Sequence, residues 1–217
     1  MTAVIAAMQK EADVLLSASE IKEEKTIYGR RAWRGSFAGT PFLLVLSGIG
    51  KSNAASAAML CIALGADKLL NIGVAGGLTP KAPVGSVLQM ERAAESDFDL
   101  SKINGTPVGT PNERDTPYFP LKSRKNAFVK GTLASADSFS DGSDAAVLAA
   151  LGADVRDMEG AAIAHAACAA DVPVWAFKAI SDNAGQESIR EYSENLQIAL
   201  AALGEKLPDI FAEVNNG

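Results

Sequence analysis

The sequence predicts an α/β fold built on a covered, mostly parallel sheet. Two observations carry this. Apolar runs of strand length (AVIAAM from Ala3, FLLVLS from Phe42, VPVWAFKAIS from Val172) are near-continuous rather than alternating, as in strands covered on both faces. Between such runs stand segments of helical spacing or small-residue composition, so strands and helices take turns along the chain.

Residues 3–8 read as a buried strand and KEADVLLSA as the helix after it. AWRGSF and FLLVLS form a hairpin across a turn at Ala38-Gly39-Thr40-Pro41. Gly48-Ile49-Gly50 is a tight loop. SNAASAAMLCIALG is a buried helix, capped by Ser52 and closed by Gly65. DKLLNIGVAGGL is a strand entering a glycine turn, and SVLQMERAA is another strand. Residues 96–126 are polar and aperiodic, which predicts a long loop. FVKGTLA is a strand and DAAVLAALG a helix. DVRDMEGAAIAHAACAADV passes from a short strand into a small-residue helix. VPVWAFKAIS is a strand, and 187–213 a long amphipathic helix that Pro208 should break or kink. No repeat or linker interrupts the chain, and 217 residues suit a single core.

Composition narrows the function. Hydrophobic residues make up 48% of the chain, enough for a sizeable core. The net charge is −6 and the pI about 4.9, which argues against nucleic acid or an anionic membrane surface as partner. The basic clusters Arg30/Arg31 and Lys122–Lys125 read as solvated surface. Cys61 and Cys168 lie in Ala-rich apolar stretches and read as buried free thiols of a cytoplasmic protein. His165 is the only histidine and reads as structural, so no Cys/His metal site can be assembled. Neither a signal peptide nor a membrane span is expected.

SGIGKSN resembles two phosphate loops and satisfies neither. A P-loop would need glycine where Val45 stands, and a dinucleotide fingerprint would need it at Asn53. What remains is a strand, a glycine turn and a helix, whose backbone can approach a small ligand closely. Three acids stand where acids are costly: Glu11 after the first strand, Glu159 at a strand-to-helix junction, and Asp182 at the end of an otherwise acid-free strand. Taken singly, each reads as readily as a helix cap. Together, at the ends of separate central elements, they suit glycosyl cleavage. One carboxylate would activate water, one would hold ribose hydroxyls, and one, protonated, would donate to the leaving group.

The ordered set AAMQKEAD, SGIGKSNAA, NIGVAGGL, ASADSF, DMEGAAIAH and AISDNA resembles the nucleoside phosphorylase superfamily, and within it the 5′-methylthioadenosine/S-adenosylhomocysteine nucleosidases. The resemblance spans most of the chain and is weakest at 17–35 and 92–127. It implies one domain over 1–217, a three-layer α/β/α fold around a mixed, mostly parallel twisted sheet. It implies that Glu11 activates water, that Glu159 binds the 2′ and 3′ hydroxyls beside Met158, and that Asp182, oriented by Ser181, protonates purine N7. Phe139 would stack on adenine, while Met8, Ile49 and Tyr192 would line the sugar and 5′ pocket. It further implies a homodimer, with 96–120 as the candidate contact, and no cofactor.

Three positions depart from the family pattern: Val74 for the usual Ser or Thr, Ser140 for an apolar residue, and Tyr192 for Phe. They bear on the substrate more than on the reaction. Phosphorolysis would need arginines beside the glycine loops. Those loops hold only Lys51, and hydrolysis is expected. The alternatives are a futalosine-type or aminodeoxyfutalosine nucleosidase, a purine nucleoside phosphorylase, and a non-catalytic nucleoside-binding module.

Overall fold

The computed structural model of the chain describes residues 1–139, 141–185 and 187–217. Its elements run β1 (Thr2–Ala6), α1 (Gln9–Leu16), β2 (Glu20–Ile27), β3 (Arg30–Phe37), β4 (Thr40–Leu46), α2 (Lys51–Ala63), β5 (Lys68–Gly77) and β6 (Val87–Glu95). They continue with α3 (Ser101–Asn104), β7 (Phe119–Pro120), β8 (Val129–Ser135), α4 (Ala145–Ala150), β9 (Val155–Asp157), α5 (Gly160–Ala169), β10 (Val174–Asp182) and α6 (Ser188–Asn216).

The ten strands described form one mixed sheet, and β10 has two partners, pairing parallel with β5 and antiparallel with β6. Together with the β6–β8, β8–β9 and β9–β5 pairings this closes five strands into a ring. From β5 the sheet extends outward through β1 and β4, both parallel, to the antiparallel β3 and β2. Helices cover both faces. Ala54, Ala57, Ala58 and Cys61 of α2 share one buried cluster with Ala161, Ala164 and Ala167 of α5. Small side chains let these two helices approach each other and the strands closely. On the opposite face Ala12 and Leu15 of α1 join Leu196, Leu200, Leu203, Leu207 and Phe211 of α6.

The structure departs from the sequence reading at particular points. β2 was not expected from EIKEEKTI, which has no apolar alternation. It is an exposed edge strand held by pairing with β3, and its charges discourage pairing with further chains. Ser52 does not cap α2. The cap lies two residues earlier, at Gly50 with φ 100°, while Gly65 follows the helix at φ 88°. Pro208 does not break α6, because Leu203, Leu207, Ile210 and Phe211 bury a continuous stripe across it. Cys168 is exposed rather than buried, with its Sγ 3.3 Å from Arg114 Nη1. The stretch 96–126 holds only α3 and the two-residue β7, and is pinned to the core by Phe119. No helix among the described residues is long and apolar enough to cross a membrane.

Candidate active site

β1, β4, β5 and β10 run parallel and bring their carboxyl ends to one side, while the segments that leave β8 and β9, strands of the opposite direction, reach the same place across the closed part of the sheet. A cavity of about 260 Å³ opens at this edge. Met8, Glu11, Ile49, Phe139, Met158, Glu159, Ser181, Asp182 and Tyr192 all line it, joined by Val74, Arg156 and Asp157. Segments far apart in sequence therefore meet at strand ends, where open α/β sheets hold their ligands.

Glu11 lies in the first turn of α1 and is 3% exposed. Its Oε2 accepts the N–H groups of Ala7 (3.0 Å) and Met8 (2.9 Å), and its Oε1 accepts that of Val74 (2.8 Å). It caps its own helix and faces the cavity at once, so the capping role and a site role do not compete. Burial pushes its proton affinity up, against the pull of Lys178 and these three N–H donors. A side chain at Gly73 would put Cβ 2.5 Å from Glu11 Oε1, so glycine alone fits beneath the carboxylate.

Glu159 is the residue before α5, and its Oε1 accepts the N–H of Gly50 at 2.9 Å. That bond ties the glycine loop after β4 to the start of α5. Burial, then the neighbouring Asp157 carboxylate, raise the Glu159 pKa to about 7. Asp182 ends β10 rather than capping α6, whose preceding residue is Glu187. Its Oδ1 accepts the Ala184 N–H and its Oδ2 the Ser181 hydroxyl, both at 2.9 Å. Burial pushes this carboxyl up as well, with the two hydrogen bonds opposing.

Asp157 joins the cavity to a buried ion pair, Lys178 Nζ to Asp157 Oδ2 at 2.8 Å, with side chains 2% and 1% exposed. Asp157 also accepts the Ser135 hydroxyl and the N–H groups of Glu159 and Gly160, fixing the start of α5. Lys178 is the nearby cation for three buried carboxylates, and Asp157, Glu159 and Glu11 all hold its proton on. Sequence reading passed it over. The signal was present as the single cation in a strand whose nine residues are all buried.

Arg156 is the only cationic side chain lining the cavity among the described residues. Its nitrogens donate to Asp144 Oδ2 (2.7 Å), Ser138 O (2.8 Å) and Ser138 Oγ (3.1 Å). The guanidinium thereby holds the loop that carries Phe139. Lys51 Nζ is engaged by Glu95 at 3.0 Å and by Asp97. His165 Nδ1 meets the other Glu95 oxygen at 2.9 Å, and its ring stacks on Phe119. At the cavity mouth Ile49 is 52% and Phe139 44% exposed. Val74 lines the wall with its side chain and reaches Glu11 only through its backbone. Ser140 lies outside the described residues.

A closed mixed sheet with acids gathered at its strand ends defines the class: the chain belongs to the phosphorylase superfamily, whose profile matches residues 2–212. Within that family it is similar to the 5′-methylthioadenosine/S-adenosylhomocysteine nucleosidases. That of Bacillus thuringiensis is 32% identical over 214 residues, covering 91% of this chain and 92% of the relative. That of Listeria welshimeri is 31% identical, covering 90% and 92%. The Neisseria meningitidis nucleosidase, solved with methylthio-immucillin-A, is 28% identical with a TM-score of 0.87 over 97% of each chain. Futalosine hydrolase of Helicobacter pylori, 24% identical, shares the fold with a TM-score of 0.88 over 98% of this chain and 97% of its own.

Proposed function

We propose that this chain hydrolyses the N-glycosidic bond of 5′-methylthioadenosine and S-adenosylhomocysteine, releasing adenine and the 5′-substituted ribose. The observation that carries the reading is the convergence of Glu11, Glu159 and Asp182 on one cavity from three separate strand ends. Asp182, its proton affinity raised by burial, gives a proton to purine N7 as the bond to C1′ lengthens. The Ser181 hydroxyl on Oδ2 and the Ala184 N–H on Oδ1 fix the orientation of this carboxyl group. Glu159 accepts the ribose 2′ and 3′ hydroxyls and so steadies a ring that becomes cationic. Met158 packs against the sugar and Phe139 stacks on the purine.

Glu11 takes the proton of the water that attacks C1′. Its raised proton affinity makes it a stronger base than an exposed carboxylate. Water is favoured over phosphate because the nearby cations are already engaged, Arg156 by Asp144 and Ser138 and Lys51 by Glu95 and Asp97. The nucleosidase relatives support the same choice. The reading includes a cytoplasmic homodimer, for which the exposed Ile103 within 96–120 is a candidate contact.

The substrate is tested by giving purified protein methylthioadenosine, S-adenosylhomocysteine and futalosine in separate assays, with light scattering on the same sample. The expected result is faster cleavage of the two adenine nucleosides by a dimer. Cleavage of futalosine alone would overturn the substrate, and a fully active monomer would overturn the assembly.

A further inference from the structure

The cavity is lined by side chains whose polar atoms are nearly all committed to strong partners. Glu11 and Glu159 hold backbone N–H groups, Arg156 holds Asp144 and Ser138, and Ser181 donates to Asp182. Tyr192 differs. Its hydroxyl meets Met8 Sδ at 3.4 Å, and no other partner for it is present among the described residues. A thioether is a weak acceptor, so this O–H has more hydrogen-bonding capacity than its surroundings use.

The hydroxyl is also well placed. Met8 precedes α1, its N–H donates to the Glu11 carboxylate, and its side chain lines the same cavity. The Tyr192 ring stands edge-on to Phe139 with centroids 5.9 Å apart, half-buried at the cavity wall. With the base between Phe139 and Asp182 and the ribose hydroxyls at Glu159, the wall of Met8, Ile49 and Tyr192 is left for the substituent on C5′. Burial, with the Glu11 and Asp182 carboxylates facing it, raises the phenol's proton affinity, so the group stays a donor.

We propose that Tyr192 determines specificity by donating its O–H to the atom attached at C5′. This bond adds to the cleavage of substrates with an acceptor there relative to 5′-deoxy ones, and its contribution is larger for oxygen than for sulfur. The inference rests on the functional reading above. A ligand oxygen replaces a thioether contact with a stronger one, whereas a 5′-methyl group leaves the hydroxyl as it was. One neutral hydrogen bond corresponds to roughly three- to tenfold in the specificity ratio.

The test compares kcat/KM for adenosine, methylthioadenosine and 5′-deoxyadenosine between the wild type and Y192F. Ratios taken within one preparation cancel any difference in its folded fraction. In Y192F the adenosine to 5′-deoxyadenosine ratio is expected to fall roughly three- to tenfold, and the methylthioadenosine ratio by less, as the weaker acceptor requires. If all three are cleaved and neither ratio moves, the hydroxyl does not select the substituent, and the functional reading stands. If the wild type releases adenine from none of them, the functional reading falls, and this inference with it.

Discussion

Asp182→Asn is expected to lower turnover of a 5′-substituted adenosine by about 100- to 10,000-fold, the usual contribution of a positioned general acid. The substitution is close to isosteric. Asn can still accept the Ala184 N–H through its Oδ1, so the end of β10 keeps its shape. The amide can donate a hydrogen bond to purine N7 but cannot transfer a proton. Adenine would then have to leave as an anion, or wait for a proton from solvent that the buried site hardly admits. Affinity for the intact nucleoside should change far less than turnover, because stacking on Phe139 and the bonds to Glu159 are untouched. Steady-state rates paired with ligand titration separate the two effects. Turnover within a few-fold of wild type would remove Asp182 from the role of acid.

Glu11→Gln should have the second largest effect, a loss of turnover of about 100-fold or more with ligand binding retained. Here the structure adds a complication. Glu11 accepts three backbone N–H groups through two oxygens, and Gln has only one oxygen to offer. Its amide must face at least one N–H as a second donor, and an unpaired buried donor costs about 1–3 kcal/mol. The variant should therefore melt at a lower temperature as well as turn over slowly. Titration with methylthioadenosine below that melting temperature distinguishes an enzyme from a binding module. An enzyme variant binds and does not cleave. Retained cleavage at near-normal rate would place the water-activating group elsewhere.

Much of this site was legible because the signals were local. Glu11, Glu159 and Asp182 stand out as acids at the edges of apolar elements, where burial is costly unless the group is used or partnered. The glycine loop at 48–50 and the glycines at 73, 76 and 77, which the structure places within β5 rather than in a turn, mark close approaches of backbone or carboxylate, and a Cβ at Gly76 would come 2.8 Å from Asp182 Oδ1. Less legible features depended on tertiary context. β2 exists because β3 lies beside it, and nothing in EIKEEKTI shows the pairing. The helix-breaking tendency of Pro208 is overridden by the core that α6 covers. Cys168 sits in an Ala-rich helix whose last turn reaches the surface, so composition alone misplaced it. Lys178 and Asp157 become a pair only when β9 and β10 are both in place, and the intervening sequence carries no hint of the contact. The closure of the sheet through β10 is likewise a property of the assembled strands.

The central claim is that water, directed by Glu11, displaces a purine protonated by Asp182. It is tested most directly by incubating purified protein with methylthioadenosine in phosphate-free buffer and identifying both products. Adenine and methylthioribose in equal amounts, at a rate unchanged by added phosphate, is the expected result. Adenine release that requires phosphate, with a sugar 1-phosphate as the second product, would contradict it.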